Sequence, residues 1–283
     1  MKENHSSKTA EDVARLRAAH QLMDHPRVFD DPVALRIAGA EAFAATVADR
    51  QQGRGRTAIR ALRAAVVARS RYAEEQLARA VETGVRQYVI LGAGLDTFAY
   101  RCEYAGLHVF EVDYPATQVW KRKRLAEAGI EPPPCLHFVP IDFETQSLSG
   151  ALQDAGLDAN QPAFFSWLGV TPYLSRGAIM ATLGFIAASM QQGSAVIFDY
   201  MVAPHLLDPV RRTAFEAMAS RVAELGEPWR ASFEPAALAS ELKEIGFPAI
   251  RDMGPEELNA LYFRDRTDGL RVSGMSRIML AMV

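Results

Sequence analysis

The sequence predicts an α/β protein, with a seven-stranded, mostly parallel sheet, helices on both faces and a helical cap ahead of it. Three observations carry this. From residue 88 onward, short Val-, Ile- and Phe-rich runs alternate with longer helix-like patterns, as strand–helix–strand units do. The first run, Tyr88-Val89-Ile90-Leu91, ends in Gly92-Ala93-Gly94. Such a run suits a strand buried on both faces, and glycines one residue apart permit a tight turn and close ligand approach. The second run, Leu107 to Asp113, ends in the acids Glu111 and Asp113. That is about 20 residues on, where a doubly wound sheet sets a carboxylate against ribose hydroxyls.

In chain order, residues 9–84 read as mainly helical. Thr9 to Asp24 spaces Val13, Leu16 and Leu22 at helix-like intervals, with Ala between them. Asp31-Pro32 suits a helix start, the acid as cap and the proline in first position. Gln51 to Arg56 is a polar loop, and an Ala-rich helical pattern runs from Thr57 to Glu82, closed by Gly84. Strands are expected at 88–92, 107–113, 136–142, 163–168, 194–200, 248–253 and 276–283. Helices are expected at 97–104, 116–128, 147–155, 175–190, 234–245 and 255–263. The helix after the glycine turn would aim its free N–H groups at a ligand. Ligands of such sheets lie at the C-terminal strand ends, so Gly92, Asp113, Asp142 and the Trp167-Leu168 region should converge. Residues 201–233, with Pro204, Pro209 and Pro228, form an insertion suited to a lid. Its Met201, Leu206, Phe215, Met218 and Trp229 could line a substrate pocket or pack on the sheet. Ser276 to Val283 reads as a buried last strand. The expectation is one domain over 1–283: cap 1–84, cofactor-binding core 85–200, lid 201–233, and 234–283 completing the sheet.

Composition bounds the partners. With 49% hydrophobic and 23% charged residues and a net charge of −3, the chain suits a soluble globular protein with no nucleic-acid or membrane partner. No apolar run approaches the roughly 20 residues of a membrane span. The polar start and two unpatterned cysteines, Cys102 and Cys135, suit the cytoplasm. The histidines show no metal-ligand spacing, so no metal is expected. Lys121-Arg122-Lys123-Arg124 spreads round a helix and reads as solvated surface.

Counting Gly-x-Gly-x-x-Gly from Gly92, Thr97 holds the third glycine place, so the dinucleotide fingerprint is incomplete. Leu91-Gly92-Ala93-Gly94-Leu95-Asp96-Thr97-Phe98-Ala99-Tyr100-Arg101, followed by Phe110-Glu111-Val112-Asp113-Tyr114-Pro115, closely resembles the leucine carboxyl methyltransferase family and its bacterial branch of O-methyltransferases. The resemblance implies a Rossmann-like class I methyltransferase using S-adenosyl-L-methionine on a small-molecule acceptor. It implies that the N-terminal helices cover the cofactor cleft. It assigns the cofactor carboxylate to an arginine of Ala68-Arg69-Ser70-Arg71-Tyr72, Arg69 before Arg71, and guanidinium suits that ligand. It gives Asp142 to the adenine amino group and Phe143 to the base. The cofactor set is then Arg69, Gly92, Ala93, Gly94, Glu111, Asp113, Asp142, Phe143, Trp167 and Leu168. In many relatives a Glu at the place of Leu168 contacts the cofactor's amino group, which Leu168 cannot do. Ser7, Thr9, Ala10 and Arg17 echo the family's opening.

The acceptor is expected to be a carboxylate. A carboxylate is ionised at neutral pH and needs no base for methylation, whereas a phenol or alcohol usually does. His205 in the lid is the candidate base, with Tyr173 and Tyr200 as candidate orienting hydroxyls. A hydroxyl O-methyltransferase, a nicotinamide-dependent oxidoreductase and a non-catalytic cofactor-binding protein are the competing readings.

Overall fold

The computed structural model describes residues 8–39, 56–142 and 146–283. Ser7, Phe143 and residues 51–55 of the loop expected at Gln51 to Arg56 lie outside them, and Arg56 opens a helix instead. Helix α1 (Lys8–Met23), α2 (helical over 32–39) and the long α3 (Arg56–Glu82) precede the sheet. Then follow β1 (Gln87–Leu91), β2 (His108–Asp113), α4 (Pro115–Glu127), β3 (Leu136–Pro140), α5 (Leu148–Asp154), β4 (Ala163–Trp167), α6 (Arg176–Ser189) and β5 (Ala195–Met201). The chain closes with α7 (Pro209–Glu224), α8 (Pro235–Glu244), β6 (Ala249–Met253), α9 (Pro255–Tyr262) and β7 (Ser276–Met282). Asp31 caps α2 as expected, its Oδ1 accepting from the Ala34 N–H at 3.0 Å.

The sheet order is β3-β2-β1-β4-β5-β7-β6. The pairs from β3 to β5 are parallel, and β7 runs antiparallel between β5 and β6. Strand alternation divides the core in two. Tyr88 and Ile90 of β1 and Ile197 of β5 pack with Val67, Tyr72 and Leu77 of α3. Val89, Leu91, Phe165 and Phe198 face Ile179 and Leu183 of α6 and Leu238 of α8. The same alternation sets Ser166 and Leu168 on the α3 side and buries Trp167 on the other.

The segment after β1 departs from expectation. In place of a helix over 97–104 there is one 3-10 turn, Phe98–Arg101. Its side chains are drawn into the cap. The Thr97 hydroxyl donates to Asp31 at 2.7 Å, and Arg101 pairs with Glu74 and lies 3.4 Å from Asp31. The basic run on α4 is a second correction. Lys121 is buried against Glu111 at 2.6 Å, Arg122 lies over the Phe138 ring, and Arg124 donates to the Ala38 carbonyl at 2.6 Å. No helix among the described residues is long and apolar enough to cross a membrane.

Candidate active site

A cavity of about 1720 Å³ opens at the C-terminal ends of β1, β2, β4 and β5. The cap helices α1 and α3 wall one side, α7 and residues 225–230 another. Such volume exceeds a usual single-ligand pocket of roughly 300–1,000 Å³ and leaves room for two reactants.

The glycine turn forms the floor. Gly92 has φ +68°, and a Cβ on it would meet Val170 Cγ2 at 2.3 Å. The constraint on Gly92 is therefore the protein's own Val170 and the left-handed backbone. The turn's N–H groups are already engaged. Gly92 and Ala93 both donate to the Val112 carbonyl, at 2.7 and 3.1 Å, and Gly94 donates to Asp113 Oδ2 at 2.5 Å. The Tyr114 N–H donates to Asp113 Oδ1 at 2.6 Å. Burial raises the Asp113 carboxyl above its ordinary value, and these two N–H groups pull it back down. The Thr117 side chain hydrogen-bonds to the same carboxylate. An ionised carboxylate has about four lone-pair sites, so about one remains for a ligand.

Arg69, Gly92, Ala93, Gly94, Asp113, Asp142, Leu168 and Tyr173 all line this cavity. Arg71 does not: it pairs with Glu75 at 2.7 Å on the surface and lies over the Tyr262 ring. Three expected residues fall elsewhere. Glu111, one strand pleat below Asp113, is sealed against Lys121, and burial pushes its carboxyl up to about 7 against the pull of that lysine. Trp167 is wholly buried in the α6–α8 core because the alternation turns it away. His205 sits outside the cavity in a 3-10 turn, exposed, 3.2 Å from Glu234. In the lid, Met201, Met218 and Trp229 line the cavity, Phe215 is buried and Leu206 is exposed.

Asp199 was missed in the sequence, and Thr9, Arg17 and Tyr173 were singled out there without their partners. Asp199 on β5 lines the cavity, accepting from Arg69 Nη1 at 2.8 Å and from the Gly169 N–H at 2.5 Å. An acid within the buried run Ala195-Val196-Ile197-Phe198-Asp199 was the available signal. Arg17 of α1 donates to the Leu95 carbonyl and lies 3.6 Å from both Asp31 and Asp96, tying the cap to the glycine turn. The Thr9 N–H reaches Glu227 at 3.3 Å. Tyr173 lines the cavity together with Thr9 and Trp229, and burial raises its phenol above the usual 10.

A doubly wound sheet with an antiparallel strand inserted before its edge, and a glycine turn and acid at adjacent strand ends, defines the class I, Rossmann-like methyltransferase architecture. The chain belongs to the leucine carboxyl methyltransferase family, whose model matches residues 10–187. Over 293 aligned residues it is 33% identical to the Bacillus subtilis protein named "Putative S-adenosyl-L-methionine-dependent methyltransferase YktD", covering 95% of each chain. Among solved structures it resembles a DUF574 family protein from Streptomyces avermitilis, with a TM-score of 0.59 at 14% identity over 99% of this chain and 98% of the other. It also resembles the S-adenosylmethionine-dependent methyltransferase SibL, with a TM-score of 0.50 at 15% identity over 95% of this chain and 69% of SibL. At those identities the likeness concerns the fold.

Proposed function

We propose that this protein transfers the methyl group of S-adenosyl-L-methionine to an oxygen of a small molecule, and that the oxygen belongs to a carboxylate. The coarser part follows from family membership: the chain is an S-adenosyl-L-methionine-dependent methyltransferase. The bound cofactor supplies the reactive methyl on its sulfonium centre.

One observation carries the choice of cofactor. The N–H groups of Gly92, Ala93 and Gly94 are all spent on β2, and no α-helix starts after the turn. A pyrophosphate needs such donors, from a glycine loop or a helix N-terminus. Ribose hydroxyls instead need acceptors, which Asp113 retains. A nicotinamide dinucleotide therefore fits this turn poorly, and a nucleoside with a cationic thioether fits it well. Asp113 would hold the ribose, Asp142 the adenine amino group and Arg69 the carboxylate of the methionine part. The cap and residues 225–230 would exclude water and fix the acceptor in line with the methyl, for which proximity and orientation are the main demands.

The carboxylate acceptor is supported by what faces the cavity. Among the described residues no histidine lines it, and Tyr173 holds its proton more firmly than a free phenol. An ionised acceptor needs neither. Methyl-labelled cofactor incubated with matched carboxylic acids and phenols should label the acids. His205→Ala should keep the rate within a few-fold. Labelling of phenols alone, or a loss of about 10²–10⁴ on removing His205, would make a hydroxyl the acceptor.

A further inference from the structure

We infer that Asp199 takes the ammonium of the cofactor's α-amino-acid end, beside Arg69, the residue already matched to its carboxylate. The inference rests on the S-adenosylmethionine reading of the cavity. That cofactor ends in a zwitterion. A receptor for a zwitterion needs an anion and a cation side by side on the cavity wall, each with hydrogen-bonding capacity to spare.

The Arg69–Asp199 pair meets those conditions. Both side chains line the cavity, at 14% and 8% exposure, and they share one ion-pair contact of 2.8 Å. Asp199 uses its other oxygen for the Gly169 N–H, which leaves it about two further lone-pair sites. Arg69 has spent one of its N–H donors on a side chain. Other arginine–aspartate pairs facing the cavity each fail a condition. Asp24 gives both oxygens to Arg63, at 2.6 and 2.8 Å, and one also to His20. Arg17 is committed to the Leu95 carbonyl and to Asp31. Arg15 and Asp12 are more than a third exposed and 3.5 Å apart.

The backbone is shaped around the pair. Gly169 has φ +76°, and a Cβ there would lie 2.5 Å from Arg69 Nη2, so the guanidinium occupies space that only glycine leaves. Trp167 pairs in register with Phe198, so one step on Leu168 and Asp199 stand side by side on the α3 face. The apolar Leu168 thus borders the carboxylate without competing for a cation.

Calorimetry on the whole protein tests this with S-adenosylhomocysteine, its deamino analogue, and 5′-methylthioadenosine, which lacks the amino-acid part. The wild type should bind S-adenosylhomocysteine about 10–100-fold more tightly than the deamino analogue, the usual worth of a charged hydrogen bond. Asp199→Asn, which keeps an acceptor for Gly169, should lose a similar factor for S-adenosylhomocysteine. It should bind the deamino analogue and methylthioadenosine like the wild type. Equal wild-type affinity for S-adenosylhomocysteine and its deamino analogue overturns the inference, and so does an equal loss for all three ligands in the variant. Should Asp199→Asn not fold, the wild-type comparison alone decides. A wild type that binds none of the three brings down the cofactor reading as well, an outcome set apart because methylthioadenosine does not reach Asp199.

Discussion

Asp113 and Glu111 lie two residues apart on one face of β2, yet they meet opposite surroundings. Asp113 ends the strand with two N–H donors and an open cavity before it, whereas Glu111 is enclosed with Lys121. Folded Glu111 keeps its proton to about pH 7, against an ordinary value of 4.5. The folded state therefore binds more protons than the unfolded chain between those values, and stability should fall as pH rises from about 4.5 to 7. Replacing the pair by neutral side chains of similar volume, Glu111→Gln with Lys121→Met, should remove that component. Urea unfolding at a series of pH values should show the double variant gaining on the wild type toward pH 7; parallel profiles would mean that the pair does not titrate there. At Gly92, alanine brings both a Cβ 2.3 Å from Val170 Cγ2 and an L residue at φ +68°. A loss of about 1–3 kcal/mol is expected. Adding Val170→Ala should return part of it, with a coupling of about 0.5 kcal/mol or more in a double-mutant cycle. Strict additivity would show that the loop yields without a clash. Cavity-lining residues were legible in the sequence where they stand at or just past a strand end, as Gly92, Asp113 and Asp142 do. Trp167 and Glu111 were misread because a strand-end motif does not say which pleat reaches the ligand.

At the scale of elements, apolar periodicity placed the strands and most helices, because burial on one or both sheet faces imposes the pattern. It misplaced the segment after β1, which looked helical over 97–104. Thr97 and Arg101 bind the cap instead, and those partners, Asp31 and Glu74, lie outside any local window. The cap's grip on the turn was likewise hidden in α1, where the sequence singles out Arg17 but not its partners. In the fold it is buried, donating to Leu95 and flanking Asp31 and Asp96. Removing one member of a buried charge cluster leaves its partners uncompensated, at about 3–5 kcal/mol. Arg17→Met should therefore cost stability on that order, and S-adenosylhomocysteine affinity should drop with it, because Leu95 and Asp96 border the cavity. Chemical denaturation and calorimetry on the same preparation check both. A stability change under about 1 kcal/mol with unaltered affinity would leave α1 a passive cover.

The whole molecule closes its cavity with residues far apart in the chain. Thr9 meets Glu227, Arg69 meets Asp199, and β7 inserts from the C-terminal end between β5 and β6. No periodicity encodes such pairings, which is why the strand set was readable and the Asp199 position was not. The consequence is cooperative. Val67, Tyr72 and Leu77 of α3 share one core with β1, β5 and β7, so cap and sheet should unfold together as a single domain. A ligand held by the core and covered by the cap stabilises both. At about 100 times its dissociation constant the gain is about 2.7 kcal/mol, or a Tm increase of roughly 5 °C for a chain of this size. Scanning calorimetry with S-adenosylhomocysteine should show one transition that moves as a unit, and hydrogen exchange should slow in α1 and residues 225–230 as well as at the strand ends. Two separable transitions, with only one responding to ligand, would instead make the cap an independent unit resting on the sheet, and the water-excluding role assigned to it would be lost.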